Sequence, residues 1–332
     1  MSNLIYSLNA TMPVFLVMVV GYFLRRTGML NEEYIKVSNK FNFNVTLPCL
    51  LLLNMMDCDI KNTFDGKYVL YCAFSTIICI TVIWTLAKLF CKKKNASDKN
   101  IVGEFVQGAY RGSAAILGIA LLQNISGNAK MAPLMMLGSV PLYNIFAVIV
   151  LTFESPDMKE NELGKNLKKA VKGICTNPII LSILGGMILS YFDITFPKIM
   201  YKTINSIGSL TSPMALIAIG AGFEGRKAIK KLKPTIIATT IKLVIQPLIF
   251  LPVAVAMGFE PEKIVAALIM LGAPTTATSY IMAKNMNHEG VLSSSIVVLT
   301  TLMSAFTITA WIFILRTMGS VSYTHLTLPT IA

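Results

Sequence analysis

E-S-P-D-M-K-E-N-E-L-G-K-N-L-K-K-A-V-K, residues 154 to 172, is the longest polar stretch in an otherwise apolar chain. Five apolar runs precede it and five follow. They lie near 5–24, 38–56, 67–88, 105–123 and 131–153, then 174–192, 199–223, 235–258, 264–283 and 291–315. Each is close to the roughly 20 residues that cross a bilayer core as a helix. Of the 332 residues 55% are hydrophobic and 14% charged, where a soluble domain carries roughly 25% charged residues. The chain lacks the polar surface to coat a globule. It reads as an all-α membrane protein of ten transmembrane helices, multi-pass in the cytoplasmic membrane, with the lipid bilayer as its surroundings.

A net charge of +13 would suggest a nucleic-acid partner in a soluble protein, so the placement of the bases decides. One set of loops holds Arg25, Arg26, Lys36, Lys40, five lysines between 88 and 99, five between 159 and 172, five bases from Arg226 to Lys233, and Lys284. The alternate loops and the C-terminal end hold seven bases against those 20. Lysine and arginine favour the cytoplasmic side, which places both termini outside and excludes a nucleic-acid reading. The first run has no basic residues before it and Arg25 and Arg26 after it, so it reads as a retained helix and not a signal peptide.

Five is odd, so two related halves would be inverted. Pro13 and Pro48 are matched by Pro178 and Pro213 at an offset of 165, and Gly21 by Gly186 at the same offset. The division is residues 1–153, a cytoplasmic linker at 154–173, and residues 174–316. Inverted repeats place a carrier's substrate at the membrane midplane between interrupted helices. V-S-Y-T-H-L-T-L-P-T at 321–330 looks like translated read-through of a sequencing adapter, and 321–332 is set aside as a non-native tail. The six cysteines have no C-x-x-C spacing, so no zinc site or disulfide framework is expected. No cofactor and no metal are implied.

Two bases fall inside spans: Arg111 in the fourth and Lys242 in the eighth. All 16 acids fall in loops or at span ends. A membrane-buried charge is a functional hypothesis by default, and the simplest missing partner is an anionic ligand. The alternative is that both bases cap backbone carbonyls or snorkel. Around Arg111, G-A-Y-R-G-S-A-A-I-L-G (108–118) is weak as a continuous helix. Its counterpart, G-A-P-T-T-A-T-S-Y (272–280), contains Pro274, which removes a donor and interrupts a helix. Two such breaks would leave half-helix amides that favour negative charge. Gly112, Ser113, Pro274, Thr275, Thr276 and Thr278 join the two bases as candidate substrate-binding residues, with the hydroxyls as further donors.

With these segments in view the chain resembles the auxin efflux carrier family, which includes bacterial malate- and malonate-permease-like proteins and plant auxin exporters. The likeness covers residues 10–315 and rests on G-Y-F-L-R-R-T-G-M-L (21–30), T-L-P (46–48), V-P-L-Y-N (140–144), N-P (177–178) and the 272–280 motif. The resemblance implies two inverted five-helix repeats with broken, crossing fourth and ninth helices. It also implies a homodimer through spans one, two, six and seven, while the remaining spans move. Asn144 enters through V-P-L-Y-N, and Lys242 matches a basic position of the plant exporters. Family patterns commonly place Asn where this chain has Ser113.

The sequence contains no Ser-His arrangement, H-E-x-x-H or pair of membrane aspartates for an enzyme, and no T-V-G-Y-G filter for a channel. His288, in a short loop, reads as a solvated residue. The expected function is a secondary carrier moving small organic anions by alternating access. The membrane potential favours efflux of an anion by about 2.3 kcal/mol per charge per 100 mV. The alternatives are an ion-coupled carboxylate uptake permease or a non-transporting membrane receptor or scaffold.

Overall fold

The computed structural model describes residues 2–58, 65–92, 101–113, 122, 131–155 and 171–319. Most of the linker, the segment following the fourth-span break and the 321–332 tail lie outside them. The described chain is helical throughout: α1 (Ser2–Arg26), α2 (Glu32–Phe41), α3 (Leu47–Met56), α4 (Gly66–Lys92), α5 (Val102–Tyr110), α6 (Ala132–Phe153), α7 (Pro178–Tyr191), α8 (Lys198–Ser209), α9 (Thr211–Ala221), α10 (Gly225–Lys230), α11 (Leu232–Thr240), α12 (Gln246–Ala256), α13 (Pro261–Gly272), α14 (Thr278–Asn285) and α15 (Val291–Thr317). Five stretches among the described residues are long and apolar enough to cross a membrane: 66–90, 132–153, 198–221, 232–256 and 291–317.

The polarity of the helix faces is that of a protein in lipid. On α4 the apolar side chains of Leu70, Phe74, Ile78, Val82 and Leu86 recur every four residues and are exposed, while Tyr68, Cys72, Ser75, Thr76 and Cys79 are buried behind them. A spacing of four keeps residues on one face of a helix. In water that exposed stripe would be costly; in hydrocarbon it is the solvated face.

Two pairs of helices carry the pattern that an inverted repeat produces. Gly21 on α1 faces α9 so closely that an added Cβ would lie 2.3 Å from the Ile217 carbonyl oxygen. On α7, Gly186 faces α3, where a Cβ would lie 2.4 Å from the Leu52 carbonyl oxygen. The offset of 165 relates both members of the two pairs, since 186 − 21 and 217 − 52 are both 165. The two contacts thus correspond to each other at a single offset, as they would between two related halves. Small residues allow helix backbones this approach, which in lipid replaces the hydrophobic drive of a soluble core.

Two π-helical turns, Asn42–Thr46 between α2 and α3 and Ile241–Ile245 between α11 and α12, interrupt otherwise continuous helices. Each stands immediately before an X-Pro pair, Leu47-Pro48 and Gln246-Pro247. The Leu47 amide donates to the Asn42 carbonyl and the Gln246 amide to that of Ile241, both five residues back. Proline removes a donor and crowds the carbonyl four residues earlier, and the wider turn relieves that crowding.

Candidate functional site

Helix α5 stops at Tyr110 because Arg111 turns extended, with φ −84° and ψ 116°. Helix α13 stops at Gly272 because Ala273, which precedes Pro274, is extended at φ −66° and ψ 151°; a residue before proline is pushed out of the helical region. The two breaks cross. Gly112 and Thr275 form an antiparallel bridge, and the Ser113 amide donates to the Pro274 carbonyl at 2.8 Å. The Thr275 amide donates to Thr300 Oγ1 at 3.1 Å. Gly112 is required there: a Cβ would lie 2.9 Å from the Met270 carbonyl oxygen and 3.1 Å from Lys242 Nζ.

Ending a helix strands carbonyl groups that must find donors elsewhere. At the end of α5, Thr275 Oγ1 donates to the Gly108 carbonyl at 2.7 Å and Gln246 Nε2 to that of Ala109 at 2.7 Å. At the end of α13, Lys242 Nζ donates to the Leu271 carbonyl at 2.6 Å and to that of Met270 at 3.1 Å. Tyr143 also donates to Met270 O, at 3.3 Å. Lys242 is fully buried and sits inside the second π turn. It thus caps backbone carbonyls, the alternative left open by the sequence, and its charge lies at the negative end of a helix dipole.

Arg111 is 3% exposed. Its Nη1 donates to Gln107 Oε1 at 3.2 Å, with the Met282 sulfur also in reach, and Nη2 donates to Asn144 Oδ1. Asn144 in turn donates from Nδ2 to the Val140 carbonyl at 2.8 Å, which fixes its oxygen toward Arg111. All of these acceptors are neutral. The buried carboxylate among the described residues is Glu104, and it is engaged elsewhere, accepting the Gly290 and Ser293 amides at 2.8 Å each. There it complements the positive N-terminus of α15.

Two cavities flank the crossing. A small one of about 40 Å³ is lined by Ser113, Pro274, Thr275, Thr276 and Thr278, and also by Thr211, Ser212 and Thr301. A large one of about 2270 Å³ opens on the base-rich side, among Arg25, Arg26, Lys36, Lys40, Arg226 and Lys284. One apolar cluster stands between them: Phe15, Met18, Tyr280 and Val298 face the large cavity, while Val14, Leu216, Ala277 and Val297 face the small one. Arg111, Asn144 and Lys242 line neither. The nine candidate residues therefore divide. Five surround the small cavity, three hold the breaks from behind, and Gly112 lies at the contact between the two groups.

Sequence reasoning missed Thr211 and Thr301 in the cavity wall and Gln107, Gln246 and Tyr143 as supports. It also misplaced His288, which is buried, with Nε2 2.9 Å from the Leu151 carbonyl oxygen. That carbonyl belongs to α6, and nothing within the loop sequence announces it.

The family described as membrane transport protein matches residues 6–312 of this chain. A protein of Rhizobium meliloti named "Putative malonate transporter" is 22% identical over 92% of this chain and 94% of its own length. The uncharacterized transporter YfdV of Escherichia coli (strain K12) is 23% identical over 94% of this chain and 99% of its own. The uncharacterized transporter MJ1031 of Methanocaldococcus jannaschii is 20% identical over 93% and 98%.

Proposed function

This chain belongs to the membrane transport protein family, and from that premise we propose that it is a secondary carrier for small organic anions. The observation that carries the reading is the pair of buried cations, Arg111 and Lys242, held among the described residues by neutral oxygen and sulfur acceptors beside a hydroxyl-lined cavity at a helix crossing. Burying an unneutralised charge is costly. An anion in the small cavity would offset that cost on each cycle.

In this reading Ser113, Thr275, Thr276 and Thr278, which line the small cavity, meet the anion. Arg111, supported by Asn144, and Lys242 act from behind. They cancel the negative C-terminal ends of α5 and α13, so the field left at the crossing is positive. Gly112 keeps Lys242 close, and Pro274 keeps the break open. The chain is then ten spans in two inverted repeats, 1–153 and 174–316, joined by a cytoplasmic linker at 154–173. Both termini face out, and the large cavity is open to the cytoplasm. Spans one, two, six and seven form the frame of a homodimer. Cysteines placed at Asn161 should label from the cytoplasm and those at Asn62 and Asn128 from outside; the reverse would overturn the orientation.

The decisive experiment is uptake and counterflow of labelled mono- and dicarboxylates in proteoliposomes, with malonate included because of the named relative. Transport should be selective for anions and driven outward by an inside-negative potential. Equal transport of neutral analogues would overturn the proposal. One observation favours proton-coupled uptake instead: the buried His288 lines the large cavity and its Nδ1 has no hydrogen-bond partner among the described residues. Accumulation driven by a pH gradient with the potential clamped would select that reading.

A further inference from the structure

Thr211 opens α9 and is 1% exposed, lines the small cavity at the crossing, and its Oγ1 has no hydrogen-bond partner among the described residues. A buried hydroxyl left unpaired is a standing cost. The internal repeat explains why this one is unpaired. At the offset of 165, Thr211 corresponds to Thr46, and T-S-P (211–213) to T-L-P (46–48). Thr46 is also fully buried, and its Oγ1 donates to Asn42 Oδ1 at 2.7 Å, one helical turn earlier. The residue corresponding to Asn42 is Ile207, which offers no acceptor. The same threonine is therefore satisfied in one repeat and left free in the other.

The two sites differ in what lies beside them. Thr211 shares its cavity with Ser113, Thr276 and Thr278, all on the crossing breaks, whereas Thr211 belongs to the helix packed on α1 through Gly21. We infer that Thr211 is a substrate-binding residue: its hydroxyl donates to the anionic head of the substrate from the opposite wall. The substrate is then gripped by the crossing and by α9 together. This rests on the crossing being the binding site, as proposed above, and adds to it a contact on a different helix. The cavity of about 40 Å³ has room for such a head and not for a whole metabolite, since one water needs roughly 10–15 Å³ by this kind of measure. The rest of the molecule would have to part the apolar cluster that includes Leu216 and Val297.

The test measures Kd for labelled malonate and labelled phenylacetate on the purified full chain in detergent, with Tm recorded for each variant. Thr211→Val keeps the shape and removes the donor; Kd should rise about tenfold for whichever probe binds, with Tm unchanged or raised. Thr211→Ser should restore binding to within about twofold. Ile207→Asn supplies the missing acceptor and should mimic Thr211→Val by occupying the hydroxyl, while Thr46→Val should leave Kd unchanged. If Ser113→Ala weakens binding and Thr211→Val does not, the crossing site stands and Thr211 is overturned. If Thr211→Val weakens binding and Ile207→Asn does not, the hydroxyl acts without being limited by its partner and the symmetry argument is overturned. Should the parental protein bind neither probe, the anion reading falls and the role of Thr211 falls with it.

Discussion

Charges at the helix crossing and charges at the ends of the helices are handled in opposite ways. At the ends, Lys263 pairs with Asp65 at 3.0 Å, Lys88 with Glu154 at 2.8 Å, Lys227 with Glu224 at 3.0 Å, and Lys231 with Glu289. At the crossing, Arg111 and Lys242 meet amide and carbonyl oxygens and a thioether. A carboxylate would cancel the charge; a dipole only supports it. The end pairs are partly solvated and contribute little each, whereas the crossing cations hold two broken helices together and leave net positive charge at the buried crossing. Substitutions at both places test whether that division is real.

The largest effect is expected at Arg111. Arg111→Gln removes the charge while leaving an amide near Gln107 and Asn144, and anion transport in proteoliposomes should fall at least a hundredfold, about 2.7 kcal/mol. Arg111→Lys should fall less, because it keeps the charge and loses the planar fork. Folded Arg111→Gln protein that transports at the parental rate would make Arg111 a purely structural group.

Lys242→Met should lower stability by about 2 to 4 kcal/mol, because the Met270 and Leu271 carbonyls lose a charged donor in a buried place. Thermal unfolding in detergent measures this. An unchanged Tm would mean that Tyr143 and water suffice at that helix end. Gly112→Ala should cost about 1 to 3 kcal/mol, since its Cβ would push against the Met270 carbonyl. Transport should fall with it as the two breaks separate.

The smallest effect belongs to the helix ends. The hydrogen bond from Lys263 holds the Asp65 carboxyl below its ordinary range. A lowered carboxylate stabilises the fold fully above its unfolded pKa, near 4, and the contribution is lost as pH falls through the folded value. The Asp65 side chain is 31% exposed, so Asp65→Asn should cost at most about 0.5 kcal/mol at pH 7. The Tm difference from the parental protein should close as pH falls through the lowered folded value. A difference that persisted in acid would show that the pair acts through packing and not charge.

The crossing was legible in the sequence for a local reason. Pro274 and the small-residue run around Arg111 disfavour a helix by themselves, and the absence of acids from the spans made Arg111 and Lys242 conspicuous. Gln107, one turn before Arg111 on α5, was within reach of a spacing argument; Asn144 and Met282 were not legible, because they reach Arg111 from two other helices, α6 and α14. Thr211 is an intermediate case. The offset of 165 pairs it with Thr46 directly, but the telling difference, Ile207 in place of Asn42, gains meaning only once Thr46 is seen to bond with Asn42. His288 reads as a loop residue because its loop is short and polar, and only the approach of α6 removes it from water.

The π turn at Ile241–Ile245 has a consequence for how this helix tolerates insertions and deletions. A π turn accommodates one residue more than the α-helix around it, so removing one residue there returns the helix to regular winding and leaves α11 and α12 in nearly the same phase. Removing one residue from α11 itself meets no such slack, and everything beyond it rotates by about 100° relative to what precedes it. The overall hydropathy of the span would stay nearly the same in both cases. A length change of one residue, invisible to any measure of how well the segment suits a bilayer, is thus absorbed at the π turn and disruptive a turn or two away from it.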